Sequence, residues 1–312
     1  MLARRSDLRY VFWVQDQITW RPPRSYAELD GWFYAKDQAL FTWLLDRQER
    51  REPPGDLLEL GCYLGKSAIL VGAHVRPGET FTVCDLFGSE PSDSANQTEN
   101  TWSYATLTRR AFEGNYRAFH AELPTIVQAA TDRITQHVAP GSCRFVHIDA
   151  SHLWEHVKGD IEAARLLLRP DGLVVCDDYR SEHTPGVAAA VWTAVANGGL
   201  RPICITGNKF YGTWGDPGPV QDELFEWLRT YGPNVPQYQD ILGHRMLRVS
   251  RWNKPPVPTV VPLHPAEPDG PAHAARPAVP GRRWARRIAV DLLPPVVTRG
   301  LRRLRKRVRR SG

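Results

Sequence analysis

Nowhere in the 312 residues do the roughly 18 consecutive apolar side chains of a membrane span follow one another, so no transmembrane helix is expected. Cysteine is scarce. The five, at 62, 84, 143, 176 and 204, form no CxxC and no His/Cys ligand spacing. An odd number of isolated cysteines inside apolar runs excludes a disulfide framework and fits reduced core residues of a cytoplasmic protein. Met1–Tyr10 has basic residues but no apolar run behind them, which argues against a signal peptide. Two glycine signatures are also missing. There is no GxGxxG of a dinucleotide fold and no GxxxxGK[ST] of a phosphate-cradling loop.

Charge is unevenly spread. The net charge is +6, but residues 281–312 hold 12 Lys/Arg against the single acid Asp291 and carry +11, which leaves −5 on residues 1–280. A mildly acidic body with a basic tail is the reverse of what a nucleic-acid-binding body shows, so no specific nucleic-acid partner is expected. Between body and tail, residues 254–280 contain nine prolines in 27 positions and almost no bulky apolar side chains, the composition of a stiff linker. The chain is therefore read as an N-terminal helical section (1–50), a folded domain (51–253), a Pro-rich linker (254–280) and a basic tail (281–312).

Apolar spacing over Tyr26–Leu45 predicts a helix packed on a sheet, with Leu29, Trp32, Phe33, Leu40, Trp43 and Leu44 on its buried side. From Asp56 to Trp214, strands and helices alternate. Strands are expected at Asp56–Leu60, Thr80–Cys84, Thr125–Gln128, Arg144–Ile148 and Leu173–Cys176, with helices at Ser67–Ala73 and Val157–Leu168. Pro202–Thr206 and Phe210–Trp214 flank a Gly-Asn-Lys turn and read as a hairpin. Such alternation implies a doubly wound α/β fold around a mainly parallel, seven-stranded sheet. A polar Asn/Ser-rich connection, Gly88–Tyr104, leaves the carboxyl end of the second strand, where loops carry function in open α/β sheets.

Two clusters of residues carry chemistry. The first is Glu59-Leu-Gly61-Cys-Tyr63-Leu-Gly65-Lys-Ser67 at the first strand-to-helix turn, followed by Asp85 at the end of the second strand, 24 residues after Gly61. The glycines let the backbone turn tightly against a ligand, and an acid in Asp85's place can accept both hydroxyls of a ribose. A cofactor without phosphate, a zwitterion joined to a ribose, suits that turn. The second cluster is His147-Ile-Asp149-Ala-Ser-His152 at the end of the fourth strand and Cys176-Asp177-Asp178-Tyr179 at the end of the fifth. Neighbouring parallel strands would bring Asp149, Asp177 and Asp178 to one rim, where like charges repel unless a cation neutralises them. Three carboxylates make a hard oxygen site suited to Mg²⁺ or another divalent ion. His152, three residues past Asp149, is placed to act as a base, whereas His147 and His156 read as structural.

The stretch Leu57–Tyr179 resembles the metal-dependent class I methyltransferases related to macrocin O-methyltransferase and mycinamicin methyltransferase. Glu-Leu-Gly-x-x-x-Gly-x-Ser, the Asp85 strand end, His-Ile-Asp-x-x-His, the Arg169-Pro-Asp-Gly172 turn and Asp177-Asp178-Tyr179 follow in the family's order. The resemblance implies a Rossmann-like fold and S-adenosylmethionine at Glu59, Gly61, Tyr63, Gly65, Ser67 and Asp85. It also implies metal at Asp149, Asp177 and Asp178, and His152 as the base. Catechol-type relatives end the pattern with Asp-Asn, so Asp177-Asp178 favours the sugar-modifying branch. The implied reaction is O-methylation of a vicinal diol on a natural product, glycolipid or glycan, with a chelating Mg²⁺ acidifying the hydroxyl. A catechol or phenol acceptor and a catalytically idle scaffold are the alternatives. The tail, with apolar teeth among its arginines, suits solvated disorder, peripheral contact with an anionic membrane or non-specific contact with nucleic acid. A homo-oligomer is compatible with the sequence.

Overall fold

A computed structural model describes residues 21–89 and 107–263. These belong to one compact unit ending at Pro265. Most of the polar connection after Asp85, most of the Pro-rich segment and the whole basic tail lie outside the described residues. No helix among the described residues is long and apolar enough to cross a membrane.

The strands are β1 (Asp56–Leu60), β2 (Phe81–Asp85), β3 (Thr125–Gln128), β4 (Cys143–Ile148), β5 (Leu168–Cys176), β6 (Arg201–Ile205), β7 (Phe210–Thr213), β8 (Pro236–Ile241) and β9 (His244–Val249). They form one sheet in the order β3-β2-β1-β4-β5-β7-β6-β9-β8. β3, β2, β1, β4 and β5 are parallel, while β7 runs antiparallel to both β5 and β6. Every residue of β4 is buried, as expected of a parallel strand covered on both faces.

The sheet has nine strands among the described residues rather than the expected seven. The extra pair is the β8–β9 hairpin, whose two-residue turn Leu242-Gly243 has positive φ at both positions (51° and 77°). That geometry fits the right-handed twist of a hairpin. Its alternating strands are partly exposed, so they lack the apolar run that betrays β4.

Among the described residues six α-helices cover the sheet: α1 (Ala35–Arg51), α2 (Lys66–Gly72), α3 (Arg109–Arg117), α4 (Trp154–Leu167), α5 (Pro185–Asn197) and α6 (Gly218–Arg229). α1, α2, α3 and α6 bury apolar side chains in one core layer, and α4 and α5 in the other. The helix expected over Tyr26–Leu45 is broken. A short 3₁₀ turn, Tyr26–Glu28, is followed by an irregular segment before α1 begins at Ala35. Gly31 adopts φ 143°, and Lys66 Nζ donates to the Leu29 carbonyl at 2.8 Å, holding that segment open. The break lets Leu29 and Phe33 enter the core while Trp32 and Tyr34 stay 53% and 54% exposed.

The Arg169-Pro-Asp-Gly172 turn lies inside β5 as an outward bulge. Leu168 pairs with Cys143 and Leu173 with Phe145, so four residues are looped out opposite one. All five cysteines are buried and free.

Candidate active site

The strand order reverses between β1 and β4, which opens a crevice at their carboxyl ends, the usual ligand position of such sheets. Gly61, Asp149 and Asp177 leave the ends of the three adjacent strands β1, β4 and β5. Backbone bonds lock them together: Gly61 N–H to Cys84 O (2.8 Å), Asp149 N–H to Leu60 O (2.7 Å) and Asp177 N–H to Ile148 O (2.9 Å).

The glycine turn is shaped largely by the protein itself. Gly61 has φ 77°, and a Cβ there would lie 2.0 Å from the Asp149 carbonyl oxygen, so the crossing of β1 past β4 already demands glycine. Gly65, at φ 91°, begins α2 and faces the Phe112 ring. Tyr63 between them also has positive φ, 47°, and its ring lies 5.5 Å from that of Trp32. Asp85 braces the turn. One carboxylate oxygen accepts the Cys62 and Tyr63 amides at 2.8 and 3.1 Å, and the other accepts Phe87 N–H at 2.8 Å. Burial pushes its pKa up, against these three bonds.

Below the turn runs a buried polar chain. Ser67 Oγ donates to Glu59 Oε1 at 2.5 Å, and His147 Nδ1 lies 2.7 Å from the same oxygen. His147 Nε2 is 3.0 Å from Lys209 Nζ. An ammonium has no lone pair, so Lys209 is the donor, and Nδ1 of His147 carries the ring proton toward Glu59. Burial and the Lys209 charge hold the His147 pKa well below its usual value, so the ring is neutral. Burial raises the Glu59 carboxyl to about 8, and its Oε2 has no partner among the described residues.

The carboxylate rim differs from the expected three-acid cluster. Asp149 and Asp177 come together, joined by His147 rather than by Asp178: one ligating atom from each of these three lies within 4.8 Å of the others. The Lys209 ammonium stands among them, in contact with Asp177 Oδ2 and 4.0 Å from Asp149 Oδ2. Asn208 Nδ2 and the Asp178 amide fill the other Asp177 oxygen at 2.6 and 2.8 Å. Asp178, at φ 52°, turns away: its Oδ2 faces His152 Nε2 at 3.2 Å and its Oδ1 accepts Ser181 Oγ at 2.8 Å. Burial works against ionisation of Asp178, but the bonds from His152 and Ser181 outweigh it and lower its pKa. Burial and the neighbouring Asp177 raise the Asp149 pKa well above the usual range.

The donor set therefore does not fit a resident divalent ion. A cation already occupies the place where Asp149 and Asp177 converge, and the third expected ligand is engaged elsewhere. The glycine turn does fit S-adenosylmethionine. It presents a backbone braced by Asp85, and beneath it lies Glu59 Oε2, buried and without a partner among the described residues.

Sequence reasoning missed Lys209 and Asn208, which sit in the turn it read only as a hairpin connection. It also assigned Trp32 to the core. Tyr34, near the rim, has its pKa raised by partial burial and then by Asp178 and Asp177. The missed signal was a charged residue, Lys209, entering a fully apolar strand at Phe210-Tyr211.

Residues 58–179 match the model of a family described as a methyltransferase domain. No curated protein sequence matches. Among solved structures, the O-methyltransferase NovP is 19% identical with a TM-score of 0.48, covering 58% of this chain and 80% of its own. CalS11, a TDP-rhamnose 3'-O-methyltransferase of calicheamicin biosynthesis, is 15% identical with a TM-score of 0.40, covering 69% and 97%. TomG from Streptomyces achromogenes, solved with its methyl donor, is 14% identical with a TM-score of 0.39, covering 69% and 100%. Likeness at this level transfers no substrate. Over residues 58–179 the chain is thus similar to a methyltransferase domain.

Proposed function

We propose that this protein moves the methyl group of S-adenosylmethionine to a hydroxyl oxygen of a small-molecule or sugar acceptor, with His152 as the general base. The observation that carries the reading is the His152–Asp178 pair, 3.2 Å apart at the carboxyl rim beside the switch-point crevice. When bound, S-adenosylmethionine supplies a methyl group already activated on a sulfonium. The protein must then hold the acceptor in line and remove its proton. Glu59, Gly61, Tyr63, Gly65, Ser67 and Asp85 would hold the donor, Asp85 chiefly by fixing the backbone of the turn.

An acceptor hydroxyl loses its proton to His152, and Asp178 stabilises the imidazolium that results. Ser181 and the left-handed backbone at Asp178 keep that carboxylate aimed at the ring. The dyad thus replaces a metal as the means of making the hydroxyl nucleophilic. Trp32 and Tyr34, exposed next to the glycine turn and the rim, offer flat apolar faces on which a sugar ring can stack. This platform supports a saccharide acceptor.

The test is a methyl-transfer assay with labelled donor against nucleotide-linked deoxysugars and catechols. His152→Ala should keep its affinity for S-adenosylmethionine and lose turnover by about 10²–10⁴. Wild-type turnover in that variant sinks the base, and failure of the full chain to bind S-adenosylmethionine sinks the methyl-transfer reading.

A further inference from the structure

Lys209 is a fully buried ammonium in the middle of a site that its sequence pattern assigns to a metal. It follows the Gly207-Asn208 turn and enters at the start of β7, with 0% of its surface exposed. The turn is closed by Thr206, whose amide donates to Lys209 O at 2.9 Å and whose hydroxyl accepts the Lys209 amide at 2.9 Å. From there the side chain runs inward past the rings of Phe33 and Phe41, with Nζ 5.5 and 5.8 Å from their centroids. At its end the ammonium donates to His147 Nε2, contacts Asp177 and lies 4.0 Å from Asp149.

Those three side chains are the ones whose ligating atoms converge within 4.8 Å. A divalent ion drawn to them would have to share Asp177 with Lys209 at close range, or expel it. Expulsion would break the bond to His147 and carry the ammonium along the rings of Phe33 and Phe41. The cage wall is aromatic, and the nearby acid Asp37 already accepts Thr206 Oγ1 and Tyr211 OH at 2.8 and 2.7 Å. Asp177, in contact with the ammonium, and Asp149, 4.0 Å away, supply the negative charge that balances it.

We infer that Lys209 is the resident cation of this site, taking the place a divalent ion would hold between Asp149 and Asp177, so that this chain works without a metal. Lys209 does not reach the crevice itself. It is a positioning residue that neutralises the carboxylate rim and leaves Asp178 to pair with His152. The inference rests on the methyl-transfer reading only where turnover is measured.

The experiment is a titration of the chelator-treated full-length protein with Mn²⁺, followed by electron paramagnetic resonance of the free ion. Wild type should show no saturable uptake assignable to Asp177. Lys209→Met, which keeps the length and removes the charge, should gain one site per chain, lost again when Asp177→Asn is added. Lys209→Gln serves if the methionine variant does not fold, and a folded variant of either kind that gains no site overturns the inference. Uptake by wild type that disappears in Asp177→Asn also overturns it. Uptake that disappears only in His74→Ala belongs to the surface group Asp46, Glu49 and His74, and leaves the inference standing. Turnover in excess chelator should equal that without it, and its loss, restored by Mg²⁺, would overturn the inference. S-adenosylmethionine affinity measured in the same samples reports on the methyl-transfer reading alone.

Discussion

Glu59 concentrates the electrostatic cost of the site in one side chain. It is fully buried, shares one oxygen between Ser67 and His147, and has its other oxygen unpartnered among the described residues. Its carboxyl titrates near 4.5 when exposed and at about 8 in the fold. The folded protein therefore binds a proton there that the unfolded chain has already released, and stability falls as pH rises between those values. The Glu59 contribution is fully present below about pH 4.5 and lost once pH passes about 8. Thermal melts from pH 5 to 9 should fall less steeply for Glu59→Gln than for wild type. Parallel curves for the two proteins would show that the Glu59 proton is not linked to folding.

Elements are tied together by polar groups inside the core as well as by apolar packing. α1 buries a stripe at helical spacing, Leu40, Phe41, Leu44 and Leu45, and ends it with polar residues at both ends. Asp37 takes the hydroxyls of Thr206 and Tyr211, while Gln48 bonds the backbone and side chain of Arg144. Arg144 on β4 is wholly buried and reaches Glu79 at 2.9 and 3.0 Å and the His74 carbonyl at 2.6 Å, which locks the turn before β2 against α1. Glu79, buried but bonded by Arg144, Arg76 and two backbone amides, titrates at about 2. Its stabilising effect is present above pH 4.5 and is lost as pH falls toward 2. Arg144→Met removes one of the two guanidinium partners of the buried Glu79 carboxylate and should cost about 1.5–3 kcal/mol. Urea titration at pH 7 measures this, and a loss under about 1 kcal/mol would mean the network contributes little beyond its packing.

At the scale of the molecule, the folded body continues past β9. Trp252 is buried against Trp227 and Tyr231, with ring centroids 5.4 and 5.2 Å apart. Val260 packs on the core, and Leu263 N–H donates to Ala118 O at 2.8 Å, so the Pro-rich segment starts on the surface of the body. A chain ending at Leu263 should remain folded and bind S-adenosylmethionine as the full chain does. Ending it at Asn253 should cost a further 1–2 kcal/mol or so, for one part-buried valine and one hydrogen bond. Removing the tail, which carries +11 over residues 281–312, should abolish salt-sensitive binding to anionic vesicles. Equal vesicle binding by both chains would assign that property to the body instead.

The order of the strands from β1 to β7 was legible in the sequence because it is written in local patterns, whereas α3 and α5 were not among the expected elements. β1 and β3 lie at their expected bounds, and β4 reads as an apolar run because both its faces are covered. The glycine turn, Asp85 and the two acidic strand ends were legible for the same reason, since each ends a strand. The N-terminal break was not. A single helical period runs through Tyr26–Leu45, and only the sheet beneath Leu29 and Phe33 decides that Gly31 opens it. Nor could local pattern give the partners of the acids. Asp177 and Asp178 are neighbours in sequence, yet the left-handed backbone at Asp178 sends one to a buried lysine and the other to His152. Lys209 lies 32 residues beyond Asp177 and meets it because β7 pairs antiparallel with β5, placing Phe210 opposite Cys176. The sequence by itself determined which residues stand at the carboxyl edge of the sheet. Which of them face one another, and which cation balances them, was decided by strand pairing across that edge.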